Sequence, residues 1–175
     1  ITHPHFDHCS PEDLAKLVTE TTTIVTVAEC APALEEAQLL GQIHVMKLGE
    51  EFQVGVARIE AVPAYNTNKE FHLKEFEWAG YILELEGVRF YHAGDTDTIP
   101  EMTGFKNVDV AFLPVSGTYT MTAEEAGQAA QMIRPKVAVP IHYGSIVGTV
   151  ADAKRFQAAA GSVIVEILER ETLEE

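Results

Sequence analysis

At 175 residues and 46% hydrophobic, the chain has enough apolar material for a single domain, 1–175, with a core of its own. Its 27 acidic against 12 basic residues give a formal charge of −15, which argues against a nucleic-acid partner, because affinity for a phosphate backbone comes from lysine and arginine. No apolar run approaches the roughly 18 residues that cross a membrane, and two cysteines, Cys9 and Cys30, are too few for a disulfide framework, so they read as reduced thiols of a cytoplasmic protein.

The chain begins ITHPHFDHCSPEDL, where Ser10 as N-cap, Pro11 in the first turn and the acidic pair Glu12 and Asp13 announce a helix. TIVTVA (23–28) is β-branched and predicts a strand, PALEEAQLL (32–40) has helical spacing, and HVMKL and VARIEAVPAY return to strand character. YILELEGVRFYHAG predicts a hairpin turning at Gly87, since Tyr81, Leu83 and Leu85 alternate against Ile82, Glu84 and Glu86. VDVAFLPV is a buried-type strand. Thr122 and Glu125 form a capping box that opens a helix ended by Pro135. KVAVPI predicts a strand, ADAKRFQAAA a helix closed by Gly161, and SVIVEIL a last strand, while the acidic run 169–175 reads as a solvated tail. A β-rich half followed by βαβαβ predicts a layered α/β fold with helices packed on sheets.

The chemistry concentrates in HPHFDH, which holds three of the seven histidines. In an extended segment His3, His5 and Asp7 would share one side, because strand side chains alternate, and His8 follows where the helix start re-aims the chain. Imidazole and carboxylate donors together suit zinc, iron or manganese rather than calcium or magnesium. Two further donors stand at predicted strand ends: Asp95 in GDTD, after Gly94, and His142 in PIHYG. Alone, the first reads as a turn aspartate and the second as a buried histidine. Beside the opening cluster, both read as metal ligands.

HPHFDH, GDT and PIHYG, in this order, resemble the metallo-β-lactamase superfamily. VPAYN, YHAGDTD and GTYTM are similar to a branch of its metal-dependent hydrolases that includes the L-ascorbate-6-phosphate lactonases and, more distantly, phospholipase D enzymes acting on N-acylethanolamine lipids. The resemblance implies an αββα sandwich. Only Ile1 and Thr2 precede the motif, so the N-terminal strands of the first sheet are expected to be absent, with association to a missing N-terminal segment or a homo-oligomer covering the gap.

The resemblance also implies two adjacent metal sites, filled by zinc (Zn), with manganese (Mn) or iron (Fe) as alternatives. His3 and His5 belong to the first, Asp7, His8 and His142 to the second, and Asp95 bridges them. Where the family places a third histidine of the first site, this chain has Asn66, a weaker ligand. His72 is an alternative, read more readily as a substrate-facing or surface histidine. His92 reads as packed and hydrogen-bonded, His44 as an ordinary strand residue, and Cys9 as a neighbour of the motif rather than a ligand. Asp7 is the expected catalytic residue, orienting a metal-activated water or moving its proton. The loop 65–78 is expected to cover the site and offer Lys69, His72 and Lys74 to an anionic small-molecule substrate. The function this implies is hydrolysis of a small ester, lactone or phosphodiester. The alternatives are a metal-binding or interaction protein without catalysis, and a nuclease, which the charge disfavours. Di-iron redox chemistry is disfavoured as well, since that branch carries glutamate where His5 stands and no flavin-binding segment is evident.

Overall fold

The computed structural model describes residues 1–169, so the acidic run 169–175 falls, beyond its first residue, outside the described residues. Two strands, β1 (Thr23–Thr26) and β2 (Gln42–Val45), pair in parallel as a small sheet. Seven more form a second sheet in sequence order: β3 (Glu51–Val54), β4 (Ala57–Pro63), β5 (Ala79–Leu85), β6 (Val88–His92), β7 (Val110–Pro114), β8 (Val137–Ile141) and β9 (Ile164–Val165). β3 to β6 run antiparallel and β6 to β9 parallel.

Local chemistry explains the change of direction. β5 and β6 close across Glu86 and Gly87, both left-handed (φ 50° and 80°), the two-residue turn whose twist matches that of paired strands. The parallel pairs instead need crossovers: α3 (Ala123–Ile133) and α4 (Val150–Ala159) supply those of β7–β8 and β8–β9, and the segment with the 3-10 turn Pro100–Gly104 supplies that of β6–β7. The capping box predicted for α3 is present, with Thr122 accepting from Glu125 N and the Glu125 carboxylate accepting from Thr122 N. α3 lies close on α4 because Gly127 has no side chain: a Cβ there would stand 2.6 Å from Ala159 Cβ.

The core has two compartments. Tyr91, Leu113, Ala126, Ile133 and Phe156 pack between the large sheet and the layer of α3 and α4. Ile24, Val27, Leu34, Met46, Ala61 and Ala79 pack between the large sheet and the β1–β2 sheet with α2 (Ala31–Glu36). Helix, sheet, sheet, helix is the order expected from the sequence. α1 (Pro11–Leu17) follows the histidine-rich segment as predicted, with Ser10 accepting from Asp13 N.

Three predictions shift. α2 ends at Glu36 rather than reaching residue 40, because Gln38 turns left-handed (φ 50°). β3 is an additional strand whose alternation EFQV is too short to stand out in the sequence, and the last strand contracts to Ile164–Val165. β4 lies two antiparallel steps from β6, so β4, β6 and β8 all finish on one rim of the large sheet. That rim carries the site.

Candidate metal centre

The opening motif is not extended. The carbonyl of His5 accepts from His8 N (2.9 Å) and Cys9 N (2.8 Å), folding residues 5–9 into a turn. The alternation argument for His3, His5 and Asp7 is therefore replaced by a tight loop, which gathers the same side chains by curvature. Its base is anchored to both sheets: the Ile1 amine donates to Val25 O, Tyr81 Oη to Ile1 O, and Ala79 N to Thr2 O.

Thr2 sets two rings at once. Its hydroxyl lies 3.0 Å from His3 Nδ1 and 3.3 Å from His8 Nδ1. A hydroxyl oxygen with two lone pairs can accept from both Nδ1–H groups, the tautomer in which both Nε2 atoms are left to bind a metal. Gly94 makes room for this arrangement: it is left-handed (φ +64°), and a Cβ there would meet Thr2 Cβ at 3.1 Å. Ser116 Oγ, 3.0 Å from His142 Nδ1, orients that ring in the same way.

Three clusters of donor atoms result, each with members within 4.8 Å of one another: His3, His5 and His72; His3, His8 and Asp95; and Asp7, His8 and His142. In the first, His5 Nδ1 is 3.1 Å from His3 Nε2 and 3.2 Å from His72 Nε2. A tetrahedral ion with metal–nitrogen bonds of about 2.0–2.1 Å requires donors about 3.3–3.4 Å apart, so the spacing fits. In the last, Asp7 Oδ2 is 3.5 Å from His8 Nε2 and 3.6 Å from His142 Nε2.

Asp95 stands between the groups. Its Oδ2 is 3.3 Å from His72 Nε2, 3.4 Å from His142 Nε2 and 3.8 Å from His3 Nε2, and its Oδ1 is 3.2 Å from His8 Nε2. Despite that approach, buried Oδ1 has no hydrogen bond of acceptable geometry among the described residues. Burial opposes ionisation of this carboxyl, but the imidazoles of His142, His72 and His8 outweigh it and hold Asp95 well below the usual carboxylate range. Burial pushes His3 down to about 2, so its ring stays neutral. A buried carboxylate with one oxygen lacking a hydrogen bond among the described residues, set amid imidazoles whose ring nitrogens converge, is a donor set suited to cations.

The structure corrects the surface reading of His72, which is 2% exposed and left-handed (φ 54°). Asn66 lies beside His72, with its Oδ1 buried and without a hydrogen bond among the described residues. Its Nδ2 donates to Tyr119 O (2.7 Å) and Phe71 O (3.0 Å), which use both amide hydrogens, so the 3.3 Å approach to His72 Nδ1 is a contact only. Asn66 N also donates to His72 O (2.8 Å). Asn66 therefore staples the loop that delivers His72.

Lys69 is ion-paired with buried Asp97, and Lys74 reaches Tyr65 Oη and Glu101, so neither faces the donors. His92 is exposed rather than packed, and its Nδ1 accepts from Gly94 N. His44 lies in β2 and stacks on Phe52. Burial and neighbouring Cys30 push the Cys9 thiol up to about 11, and Cys9 joins none of the donor clusters among the described residues.

Sequence reasoning missed Trp78, which stacks on His3 at 4.9 Å and meets His5 and His72 edge-on at 5.1 and 5.3 Å. Its indole donates to Glu29. No periodic signal marks this role, although Trp78 is the only tryptophan of the chain.

A helix–sheet–sheet–helix fold with imidazoles and carboxylates gathered at one sheet rim defines a metal-dependent hydrolase class. The beta-lactamase superfamily domain matches residues 1–143. A UPF0173 metal-dependent hydrolase of Thermococcus onnurineus is 30% identical over 169 residues, covering 92% of this chain and 73% of the relative. A crystal structure from Parabacteroides distasonis, assigned to the metal-dependent hydrolases, superimposes with a TM-score of 0.83 at 36% identity, covering 95% of this chain and 73% of that one. The metallo hydrolase Igni18 of Ignicoccus hospitalis gives 0.77 at 28% identity, covering 97% and 74%. The chain belongs to the β-lactamase superfamily, among its metal-dependent hydrolases. Among the described residues, no helix is long and apolar enough to cross a membrane.

Proposed function

We propose that this protein hydrolyses a small ester, lactone or phosphodiester at a site for two metal ions. His3, His5 and His72 would hold one ion and Asp7, His8 and His142 the other, with Asp95 facing both. The observation that carries the reading is Asp95: a buried carboxylate with one oxygen lacking a hydrogen bond among the described residues, ringed by four imidazoles from three segments of the chain. When bound, such ions polarise a substrate oxygen and lower the pKa of a coordinated water to about 7. Zinc suits the donors, with manganese or iron admitted by the same chemistry.

The chain's own groups do the rest. Thr2 and Ser116 keep the rings of His3, His8 and His142 in the tautomer that presents Nε2. Asp7, the more exposed of the two carboxylates, lines the cavity beside the donors. It is placed to accept the proton of the attacking water and return it to the leaving oxygen as the bond to carbon or phosphorus breaks. The lactone part of the reading rests on the similarity of VPAYN, YHAGDTD and GTYTM to the ascorbate-phosphate lactonase branch.

The test is a panel of esters, lactones and phosphodiesters offered to protein stripped with a chelator and then reloaded with zinc, manganese or iron. Activity lost on stripping and regained on reloading supports the reading. Turnover indifferent to the chelator, or absent in every reloaded form, overturns it.

A further inference from the structure

The cavity next to the donors is walled differently from its floor. The floor is polar, formed by His5, Asp7, His72, Asp95 and His142, but the walls of this space of about 270 Å³ are Phe6, Phe71, Tyr119, Ile146 and Val147. Phe6 is 75% exposed, Ile146 58% and Phe71 48%. Large apolar side chains left in water around a polar centre mark a surface meant to be covered by a ligand. Phe71 meets Tyr119 edge-on at 5.0 Å, so one wall is a fixed aromatic pair. Ile146 and Val147, which line the same cavity, ride on a loop bounded by two left-handed glycines, Gly144 and Gly148.

Among the described residues, no lysine or arginine lines this cavity. The lysines expected to receive an anion are engaged elsewhere, Lys69 with Asp97 and Lys74 with Glu101. At the wall positions, away from the floor where the ions would sit, a negative substituent would lose its hydration against aromatic and aliphatic side chains and find no lysine or arginine to pair with. An apolar substituent loses nothing and covers the exposed rings.

Resting on the metal-dependent hydrolase reading above, we propose that the substrate is an uncharged ester or lactone whose acyl part is a compact apolar group, seated between Phe71, Tyr119 and Ile146. Hydrolysis then adds water across the acyl carbon–oxygen bond: the carbon gains a hydroxyl and the leaving oxygen takes the proton, giving an acid and an alcohol from an ester or a single hydroxy acid from a lactone.

The decisive experiment is calorimetric titration of the zinc-loaded protein with three hydroxamic acids: acetohydroxamic, hexanohydroxamic, and the equally long analogue ending in a carboxylate. Each methylene buried in an apolar site adds about fourfold to affinity, so burying only two of the four extra ones makes hexanohydroxamate about fifteenfold tighter than acetohydroxamate. The carboxylate analogue is expected to lose most of that gain, and in Ile146→Asp the hexano-to-aceto ratio is expected to fall several-fold. Equal affinities for all three, tightest binding of the carboxylate analogue, or no binding of any of them would overturn the proposal. Turnover of 4-nitrophenyl acetate and hexanoate separates the two readings. Chain-length-selective hydroxamate binding without ester turnover overturns the hydrolase reading and supports the apolar subsite, whereas metal-dependent turnover of both esters at equal efficiency overturns the subsite alone.

Discussion

Asn66→Asp separates two accounts of the first ion's environment that predict opposite outcomes. If residue 66 were itself a ligand, a carboxylate there would bind a cation more tightly than a neutral amide. The structure gives Asn66 a different role, since its Nδ2 satisfies the carbonyls of Tyr119 (2.7 Å) and Phe71 (3.0 Å), and its backbone N that of His72. Aspartate keeps the shape but has no hydrogens to donate. Two part-buried carbonyls then lose their partner and face a negative charge instead, at up to about 1–3 kcal/mol each, so about 2 kcal/mol together is a modest expectation. That energy falls on the loop carrying His72, whose left-handed backbone already costs free energy (φ 54°). A loss of about 2 kcal/mol is about a thirtyfold loss of affinity, so we expect Asn66→Asp to weaken the tighter-bound zinc at least that much in competition against a chromophoric chelator. Equal or tighter binding would refute the staple and make residue 66 a ligand.

Three more outcomes follow from neighbouring contacts. Trp78 touches His3, His5 and His72 but neither His8 nor His142, so its fluorescence should change on zinc titration in the native protein and in His142→Ala, and no longer in His72→Ala. Thr2→Val keeps the volume but removes the hydroxyl between His3 Nδ1 and His8 Nδ1; loss of such a support typically weakens metal binding about 10–100-fold, measurable by the same competition. Gly127→Ala drives a Cβ to 2.6 Å from Ala159 Cβ and should cost about 1–3 kcal/mol in urea unfolding, with metal affinity untouched because α3 and α4 pack on the far side of the sheet.

The sequence was most readable where local physics decides the structure. The Glu86–Gly87 turn, the Thr122 capping box and the apolar runs of β7 and β8 each specify their geometry within a few residues, and each is found. HPHFDH, GDT and PIHYG marked six donors by residue type and position at strand ends, and the folded chain brings those six side chains together. His72 was the hard case. Its approach depends on a loop held by Asn66 to the carbonyls of Phe71 and Tyr119 and by Thr67 and Lys69 to Asp97, contacts up to 53 residues apart. No periodicity encodes such a path. The same holds for Trp78 beneath the imidazoles and for the lysines, whose charge suggested an anionic substrate until their partners were placed. β3 escaped notice because it is only four residues long, so its alternation of exposed and half-buried positions spans just two periods.

The central claim is that seven side chains, His3, His5, Asp7, His8, His72, Asp95 and His142, hold two ions in one site. Metal content per chain, measured by plasma mass spectrometry on protein purified without chelator or histidine tag, tests it most directly. The account predicts two ions per chain in the native protein and one in His72→Ala. No bound metal in the native protein, or two ions retained without His72, would contradict it.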